Sequence, residues 1–445
     1  MSDRSRTPMN HATTLSRHIA THTARVSIIG QGYVGLPLAV EFAKAGFPVT
    51  GHDTDPDRAA ALASGRSHIP DVPSEQLQAL LRSGRYHATA ESAVLAESDV
   101  VLICVPTPLG KSKDPDISYV VAASQEAATH FRPGQLIILE STTYPGTTEE
   151  LLLPLFKDKG ARIGEDLFLA FSPERIDPGN PTFKVKDISK VVGGITPTCT
   201  RLAAALYREI VPQVHEVSTP RVAELAKLYE NVFRNVNIAL ANEFSLMCRR
   251  LGVSTREVID AAATKPFGFM PFYPGPGIGG HCIPVDPLYL SWKMRLNGYE
   301  ARFIALADEI NRAMPAHVLS LVGEALNDSG RALKGARILV LGVAYKRGVG
   351  DTRESPAHEI IATLRKKGAR VSYADPHVPT FPVDGTDLKA VDPTEEELRR
   401  ADCVLILTDH PEFDYGAVAR RARLIVDTRH SVPEITGRRR RLVRL

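Results

Sequence analysis

Short apolar runs alternate with alanine-rich stretches along the N-terminal half of the chain. The first run, 25–29, ends at a glycine, and further runs lie at 48–51, 100–105, 136–140, 168–171 and 190–193. Apolar runs of this length are typical of buried strands, and helices between them supply the crossovers that a parallel sheet requires. The pattern therefore predicts an α/β domain with a mostly parallel sheet over residues 25–215.

Between residues 220 and 263 the apolar positions take the period of a helix. They recur at spacings of three and four, at Val222, Leu225, Leu228, Val232, Val236, Leu240 and Phe244. A stripe of this kind predicts one long helix. A second helical stretch follows at about 301–326, and strand-like runs return at 337–341, 370–373, 403–407 and 424–426.

These patterns together predict an α/β fold. Two Rossmann-like parallel-sheet domains, 25–215 and 331–436, are joined by a helical segment, 216–330, that contains the long central helix. We expect the catalytic loop and a dimer interface in this central segment. The leader 1–24 is expected to be disordered, and the basic tail 437–445 to be solvated.

Composition narrows the class of protein. The 445 residues are 43% hydrophobic and 24% charged, which are ordinary values for a globular chain. No apolar run reaches the roughly 18 residues that a membrane span needs, so we expect no membrane association. The net charge of +3 arises at the ends, chiefly from the arginine run 438–441. Because the residues between the ends are net acidic, nucleic-acid binding is not expected.

The cysteines argue against a disulfide framework. Five cysteines are scattered along the chain, at Cys104, Cys199, Cys248, Cys282 and Cys403, without a C-x-x-C pair. An odd number without paired spacing is typical of a protein kept in a reducing compartment. A cytoplasmic location is therefore expected.

A glycine-rich turn follows the first predicted strand. The segment Gly30-Gln31-Gly32-Tyr33-Val34-Gly35 matches G-x-G-x-x-G, and Asp53 ends the second predicted strand about 20 residues later. In that context the glycines allow a tight turn, approach of a pyrophosphate and close helix packing, while the acid binds ribose hydroxyls. The motif predicts NAD rather than NADP as cofactor. The alternative is a glycine-rich turn in a Rossmann domain that binds no dinucleotide.

A second glycine-rich segment carries a candidate nucleophile. Residues 265–280 contain four prolines and five glycines, and they lead directly into His281-Cys282 and then Asp286. Such a loop exposes many backbone amides, and a cysteine at its end can act as a thiolate nucleophile. Two alternatives are a small buried cysteine and a metal site of His281, Cys282 and Asp286. We expect no metal, because the usual ligand spacing is missing.

On the long predicted helix, Lys227 and Asn231 stand four residues apart and therefore share a face. By themselves they fit a solvated surface. They gain a role only if their face meets the Cys282 loop.

Motifs spread over the chain resemble the UDP-glucose/GDP-mannose dehydrogenase family from about Ala24 to Ser431. They occur in this order: 30–35, 104–108 (CVPTP), 140–142 (EST), 172–175 (SPER), Lys227 with Asn231, 279–282 (GGHC), 342–346 (GVAYK) and 351–355 (DTRES). The loop 265–277 most resembles that of bacterial UDP-N-acetylglucosamine 6-dehydrogenases. The two ends of the chain lie outside the resemblance.

The resemblance implies a four-electron oxidation of a sugar C6 hydroxyl to a carboxylate with two NAD⁺. Cys282 would form a thiohemiacetal and then a thioester, which water hydrolyses. The resemblance also implies that Lys227 and Asn231 stabilise the C6 oxygen. Asp286 and Thr142 would order the water, and Glu174 would be the general base.

Binding residues follow from the same resemblance. The cofactor positions are Gly30, Gly32, Tyr33, Val34, Gly35, Asp53, Arg58, Thr107, Thr142 and Arg353, and the substrate positions are Glu174, Arg175, Lys227, Asn231, Tyr273, Gly279, Lys346 and Arg429. The chain departs from some relatives at 267–269 (Phe-Gly-Phe), where they place an arginine of the neighbouring subunit. The family further implies a homodimer or higher homo-oligomer, and a product used for surface polysaccharide.

Several alternatives remain open from the sequence. A two-electron dehydrogenase of the β-hydroxyacid type also combines a Rossmann domain with a Lys-x-x-x-Asn helix, but it has no use for Cys282. An inactive sensor of NAD or nucleotide sugar would be expected to lack Cys282 or Lys227. Among substrates, UDP-glucose, UDP-N-acetylgalactosamine, UDP-N-acetylmannosamine and GDP-mannose compete with UDP-N-acetylglucosamine.

Overall fold

The computed structural model describes residues 10–110, 114–175, 185–434 and 441–445. It divides into two compact units, one up to Glu230 and one from Asn231 onward. The division falls inside helix α8 (Pro220–Leu251) and within the segment 216–330 that the sequence predicts as a separate central domain.

The first unit contains one sheet flanked by helices. Its strands are β1 (Val26–Ile29), β2 (Val49–His52), β3 (Tyr86–Thr89), β4 (Val100–Ile103), β5 (Gln135–Leu139), β6 (Leu167–Phe171), β7 (Lys190–Gly194) and β8 (Val214–Val217). Its helices are α1 (His11–Ala20), α2 (Gly35–Ala45), α3 (Pro56–Ala63), α4 (Ser74–Arg82), α5 (Ser118–Thr129), α6 (Leu153–Lys157) and α7 (Pro197–Arg208), followed by the first turns of α8.

The strand order of this sheet is β3-β2-β1-β4-β5-β6-β7-β8. Every neighbouring pair is parallel except β6 and β7, which run antiparallel. The order reverses between β1 and β4, and such a switch point is where α/β sheets bind ligands at the carboxyl ends of their strands. Alternate residues of β4 belong to different buried clusters, so both faces of the sheet are covered.

The second unit contains a smaller sheet with order β10-β9-β13-β14-β15. Its strands are β9 (Arg337–Leu341), β10 (Arg370–Ala374), β13 (Cys403–Ile406), β14 (Leu424–Asp427) and β15 (Arg441–Arg444), with a separate hairpin of β11 (Thr380–Val383) and β12 (Thr386–Lys389). The helices are α9 (Thr255–Ala263), α10 (Asp286–Leu296), α11 (Arg302–Asn327), α12 (Pro356–Lys366), α13 (Glu395–Arg400) and α14 (Tyr415–Arg421). The predicted fold of two Rossmann-like α/β sheets with a long helix is therefore confirmed.

The region 220–263, for which the sequence predicts a helical period, contains two helices. Helix α8 ends at Leu251 because Gly252 takes a positive φ of 70°, a conformation typical of a helix C-terminus. Ser254 then accepts a hydrogen bond from the backbone N–H of Glu257 and begins α9.

Two expectations about the chain ends are wrong where the structure describes them. Helix α1 lies in the predicted disordered leader, and Leu15 and Ile19 on its inner face are buried with the core of the first unit. Strand β15 lies in the tail predicted to be solvated, and it adds a parallel strand to β14. Apolar residues placed among the charged ones explain both, because each segment buries its apolar side. The leader residues 1–9 and the arginines at 438–440 lie outside the described residues.

Candidate functional site

The glycine-rich turn after β1 has the geometry of a dinucleotide site. Gly30 has a φ of 89°, and a Cβ at this position would stand 2.6 Å from the carbonyl oxygen of Cys104. A Cβ at Gly35 would stand 1.9 Å from the Gly30 carbonyl oxygen, whereas one at Gly32 would have no atom within 4 Å. The outer glycines therefore permit close packing, and the middle one leaves open space beside α2. The N-terminus of α2 favours an anion such as a pyrophosphate there.

Asp53 connects the end of β2 to this turn. Its buried carboxylate accepts hydrogen bonds from the backbone N–H groups of Gln31 at 2.9 Å and Asp55 at 3.0 Å. The guanidinium of Arg58 pairs with it at 3.1 Å. The predicted cofactor residues Asp53 and Arg58 thus form one ion pair beside the turn.

Gln31 is a residue whose role the sequence analysis missed. Its side chain is fully buried, its amide donates to the carbonyl of Ile28 at 2.9 Å, and its amide oxygen accepts from the hydroxyl of Tyr86 at 2.9 Å. These hydrogen bonds fix the glycine-rich turn from its buried side. A glutamine inside a G-x-G motif carries no sequence signal for this role, because its partner is on β3, 55 residues away.

Thr107 and Thr142 follow β4 and β5, next to the switch point of the sheet. The segment after Thr142 is tied to α8 by Glu224, which is buried and accepts hydrogen bonds from the backbone N–H of Gly146 and from the backbone and hydroxyl of Thr148. Burial raises the pKa of Glu224, and these three donors oppose the shift. Glu224 was not predicted from sequence, because an acid in an amphipathic helix is usually on the solvated face.

Glu174 and Arg175 follow β6. One carboxylate oxygen of Glu174 accepts from the backbone N–H of Arg175 at 2.7 Å, and the other lies 3.2 Å from the ammonium of Lys190. The guanidinium of Arg175 pairs at 2.7 Å with Glu230 on α8. The predicted base and its neighbouring arginine are therefore both fixed by ion pairs.

Helix α8 is also hydrogen-bonded to the segment that carries the candidate nucleophile. The amide of Asn231 donates to the carboxylate of Asp286 at 2.5 Å, and both side chains are buried. The Asp286 N–H donates to the carbonyl of Cys282 at 2.8 Å, so the cysteine occupies the turn that begins α10. Lys227 lies one helical turn before Asn231 and is 8% exposed, and within the described part of the chain its ammonium has no hydrogen-bond partner. The sequence hypothesis that the Lys227 and Asn231 helix meets the Cys282 segment holds for Asn231.

Further asparagines extend this connection. Asn235 donates to the carbonyl of Ile283 at 3.1 Å, and Asn242 accepts from the backbone N–H of Gly275 at 2.9 Å. Asn242 also donates to Asn311 on α11 at 2.9 Å. The spacing of Asn231, Asn235 and Asn242 is four and seven, which places them on one helix face. This spacing is the signal that could have predicted them.

The proline- and glycine-rich loop is packed against the segment after β9. A Cβ at Gly279 would stand 2.6 Å from the Cβ of Tyr345, and Gly280 has a φ of 83° with the Tyr345 ring 3.0 Å from its ideal Cβ position. Side chains are therefore excluded here. Tyr273 is exposed on the same loop, and its hydroxyl donates to Asp260 at 2.6 Å.

The remaining predicted binding residues follow strands of the second sheet. Lys346 comes after β9, and Arg429 comes after β14, where its guanidinium donates to the carbonyl of Leu407 at 2.8 Å. Because these strands are parallel, both cations lie at the carboxyl edge of the sheet. Arg353 pairs with Asp351 at 2.6 Å, and its carbonyl accepts from the N–H of Gly280 at 3.0 Å.

One further cluster has metal-ligand types, at His377, His410 and Glu412. His410 is fully buried, with one ring nitrogen 3.0 Å from Asp375 and the other accepting from the N–H of Gly348 at 3.1 Å. Since both nitrogens of His410 are engaged, this cluster is explained by its hydrogen bonds. No helix among the described residues is both long and apolar enough to cross a membrane.

Comparisons with known proteins match the chain to one family throughout. Models of the UDP-glucose/GDP-mannose dehydrogenase family match its NAD binding domain at residues 24–211, its central domain at 221–313 and its UDP binding domain at 339–434. The glycine turn lies in the first region, Cys282 in the second, and Lys346 and Arg429 in the third.

Individual relatives cover nearly the whole chain. A UDP-N-acetyl-D-mannosamine dehydrogenase of Pyrococcus horikoshii is 38% identical over 92% of this chain and 96% of its own length. A UDP-N-acetyl-D-glucosamine 6-dehydrogenase of Pseudomonas aeruginosa is 39% identical over 80% of this chain and 83% of its own length. The solved structure of UDP-D-ManNAc dehydrogenase from P. horikoshii superposes with a TM-score of 0.85 at 35% identity, covering 94% of this chain and 99% of that one.

Proposed function

The chain belongs to the UDP-glucose/GDP-mannose dehydrogenase family of NAD-dependent enzymes that act on nucleotide sugars, and we propose that it oxidises the C6 hydroxyl of UDP-N-acetylglucosamine to the carboxylate. The product is UDP-N-acetylglucosaminuronate. Two features support this substrate: the sugar loop at 265–277, and a relative 39% identical that carries this activity in its name.

One observation carries the proposed chemistry. The amide of Asn231 on α8 donates a hydrogen bond to the carboxylate of Asp286, and the backbone N–H of Asp286 donates to the carbonyl of Cys282. The backbone of Cys282, whose side chain is partly exposed, is thereby fixed at the turn that begins α10. A two-electron dehydrogenase would have no use for this cysteine.

The thiol allows one site to perform two oxidations. Bound NAD⁺ supplies the hydride acceptor for each of them. The Cys282 thiolate adds to the C6 aldehyde left by the first oxidation, and the thiohemiacetal is tethered while the cofactor is exchanged. Loss of the second hydride from C6 gives the thioester. Water then adds to the thioester carbon, and the C–S bond breaks to release the carboxylate and restore the thiol.

The charged and polar residues stabilise this sequence. Lys227 offsets the negative charge that develops on the C6 oxygen, and Asn231 donates a hydrogen bond to it. Thr142 and Asp286 order the hydrolytic water, and Glu174 accepts its proton. A buried lysine is well suited to this role, because its ammonium interacts more strongly with an anion where water is excluded.

Binding of the two ligands uses separate cations. We assign the UDP part to Lys346 and Arg429, together with the backbone amides around Gly279 and the side chain of Tyr273. Arg175 contributes at the sugar end. Arg58, Asp53, Tyr33 and Val34 line the cofactor turn, with Thr107, Thr142 and Arg353 as further contacts.

Three properties complete the proposal. The enzyme works in the cytoplasm as a homodimer, or higher homo-oligomer, that associates through the exposed apolar side of α8. Its product supplies surface polysaccharide synthesis.

A panel of nucleotide sugars tests the substrate. We expect kcat/KM for UDP-N-acetylglucosamine to exceed that for UDP-glucose, UDP-N-acetylgalactosamine, UDP-N-acetylmannosamine and GDP-mannose by about tenfold or more, since pocket contacts discriminate by about 1–3 kcal/mol. NADH absorbance is the readout. A preference for any other sugar of the panel overturns the substrate, and absence of NADH with all five favours an NAD or nucleotide-sugar sensor.

A further inference from the structure

A buried charge cluster lies at the carboxyl edge of the first sheet, beside the proposed general base. The ammonium of Lys190 is 2.7 Å from the carboxylate of Glu140 and 3.2 Å from that of Glu174. The side chains of Lys190, Glu140 and Glu174 are 4%, 0% and 11% exposed, respectively. A charged group this far from water needs its partners, because the cost of burial is not recovered otherwise.

The sheet topology explains how a lysine reaches this edge. Strand β7 runs antiparallel to β6, with Phe171 opposite Gly193. If this register continues by three residues, Glu174 stands opposite Lys190, the first residue of β7. A parallel strand would put its first residue at the other edge, away from the ligand-binding side of the sheet. The one antiparallel strand pair of this sheet, β6 with β7, therefore places Lys190 next to Glu174.

Two further side chains of the described residues border the cluster. The hydroxyl of Tyr207 on α7 donates to Glu140, and the Lys190 ammonium lies 5.0 Å from the centre of the Tyr207 ring. The thiol of Cys104 after β4 is buried nearby, and burial, with Glu140 next in effect, raises its pKa well above the usual value. Arg175, the neighbour of Glu174 in the chain, pairs with Glu230.

Among the described residues, the Lys190 ammonium pairs with two carboxylates. Burial raises the pKa of Glu140 to about 7, although Lys190 opposes the shift. Burial lowers the pKa of Lys190, but Glu140 and Glu174 outweigh this effect and raise it to about 12. Lys190 therefore stays charged near neutral pH.

We propose that Lys190 is a positioning residue that keeps Glu174 ionised and correctly oriented as the general base, with Glu140 as the competing carboxylate. The inference rests on the proposed function, because it takes the role of Glu174 from it. Lys190 acts only through Glu174 and does not touch the reacting atoms.

The pH dependence of kcat/KM tests the proposal, with opposite shifts expected for two variants. In Lys190→Met the carboxylates of Glu140 and Glu174 lose their shared cation, so they keep a proton up to a higher pH. The acid limb of the pH profile of kcat/KM therefore moves up by about 1–3 pH units. In Glu140→Gln the ammonium serves Glu174 alone, so the acid limb moves to lower pH. Lys190→Arg keeps the charge and restores the limb toward that of the wild type.

Two controls separate this role from a structural one. The double variant Lys190→Met/Glu140→Gln removes one cation and one competing anion, so its limb lies closer to wild type than that of Lys190→Met. Lys44→Met removes a lysine paired with Glu41 on the surface, and its profile is expected to match wild type. Circular dichroism checks that each variant is folded.

The outcomes are distinct. A Lys190→Met enzyme whose rate falls equally at all pH values, with an unmoved acid limb, overturns the proposal. If Lys190→Met does not fold, the test rests on Glu140→Gln. An acid limb of Glu140→Gln that stays in place or moves to higher pH overturns the proposal. An inactive wild type rejects the proposed function itself, whereas an active wild type with unshifted variants rejects only the role of Lys190.

Discussion

Individual buried polar residues of the amphipathic helix α8 fix the active segments of this enzyme. Glu224 holds the segment after Thr142, while Asn231, Asn235 and Asn242 hold the cysteine-bearing loop. Each side chain is buried, so each would destabilise the fold if its partner were lost. Buried hydrogen bonds thus connect helix α8 to segments that contain almost no regular structure.

The residues nameable from sequence are those whose chemistry has a local signature. The turn 30–35 and the Gly-Gly-His-Cys segment stand out because glycine spacing and a following strand or helix predict their conformation. Sequence patterns do not reveal the roles of Gln31, Glu140 and Glu224, because each of these side chains has a hydrogen-bond partner 50 or more residues away. The role of Lys190 could not be predicted either. Lys190 also needs the antiparallel pairing of β6 and β7, which an apolar run cannot specify.

At the scale of elements, α1 is an addition in front of the region that matches the family. It begins at Asn10, whose side chain accepts from the N–H of Thr13, and it buries Leu15 and Ile19 against α7. Helix α7 carries Tyr207 of the buried charge cluster. The added helix therefore supports an element of the site from the outside.

Shortening the inner face of α1 tests this packing. We expect Leu15→Ala to lower the free energy of unfolding of the first unit by about 2–5 kcal/mol, because it removes buried methyl groups and leaves a cavity. Denaturant unfolding followed by circular dichroism measures the change. Ser16→Ala, on the exposed side of the same helix, is the control and should cost nothing. An unchanged midpoint in Leu15→Ala would show that α1 is not docked in solution.

Strand and helix boundaries were predictable wherever an apolar run was fully buried. Strands β1, β4, β5 and β6 lie within one or two residues of the predicted runs, because each is covered on both faces. Strand β15 and helix α1 were not predicted, because the few apolar residues of each segment are interspersed with basic ones in the sequence. The end of α8 at Gly252 interrupts the region 220–263, for which the sequence predicts a helical period throughout.

At the scale of the molecule, the small net charge does not describe how anions are bound. The described cations near the proposed ligands are local: Arg58 beside the cofactor turn, and Lys346 and Arg429 at the edge of the second sheet. Two of the basic residues at the C-terminus, Arg441 and Arg444, pair with Asp328 and Glu434. These ion pairs account for Arg441 and Arg444 without a general attraction to polyanions.

The proposed dimer makes a separate prediction. Leu225, Tyr229, Phe233, Leu240 and Met247 are exposed on α8 at spacings of four and seven, which forms one apolar stripe. Leu240→Glu places a charge in this stripe and is expected to halve the mass measured by light scattering. Arg234→Glu, on another face of the same helix, should leave the mass unchanged. A monomeric wild type, or a Leu240→Glu variant of unaltered mass, would contradict the interface.

In the proposed mechanism, one site performs two oxidations through a thioester on Cys282. The most direct measurement is the amount of NADH formed per molecule of UDP-N-acetylglucosamine consumed at completion, in wild type and in Cys282→Ser. Two NADH and one uronate per sugar are expected for wild type, and no uronate is expected for the variant. One NADH per sugar in wild type, or two in Cys282→Ser at near wild-type rate, would contradict this mechanism.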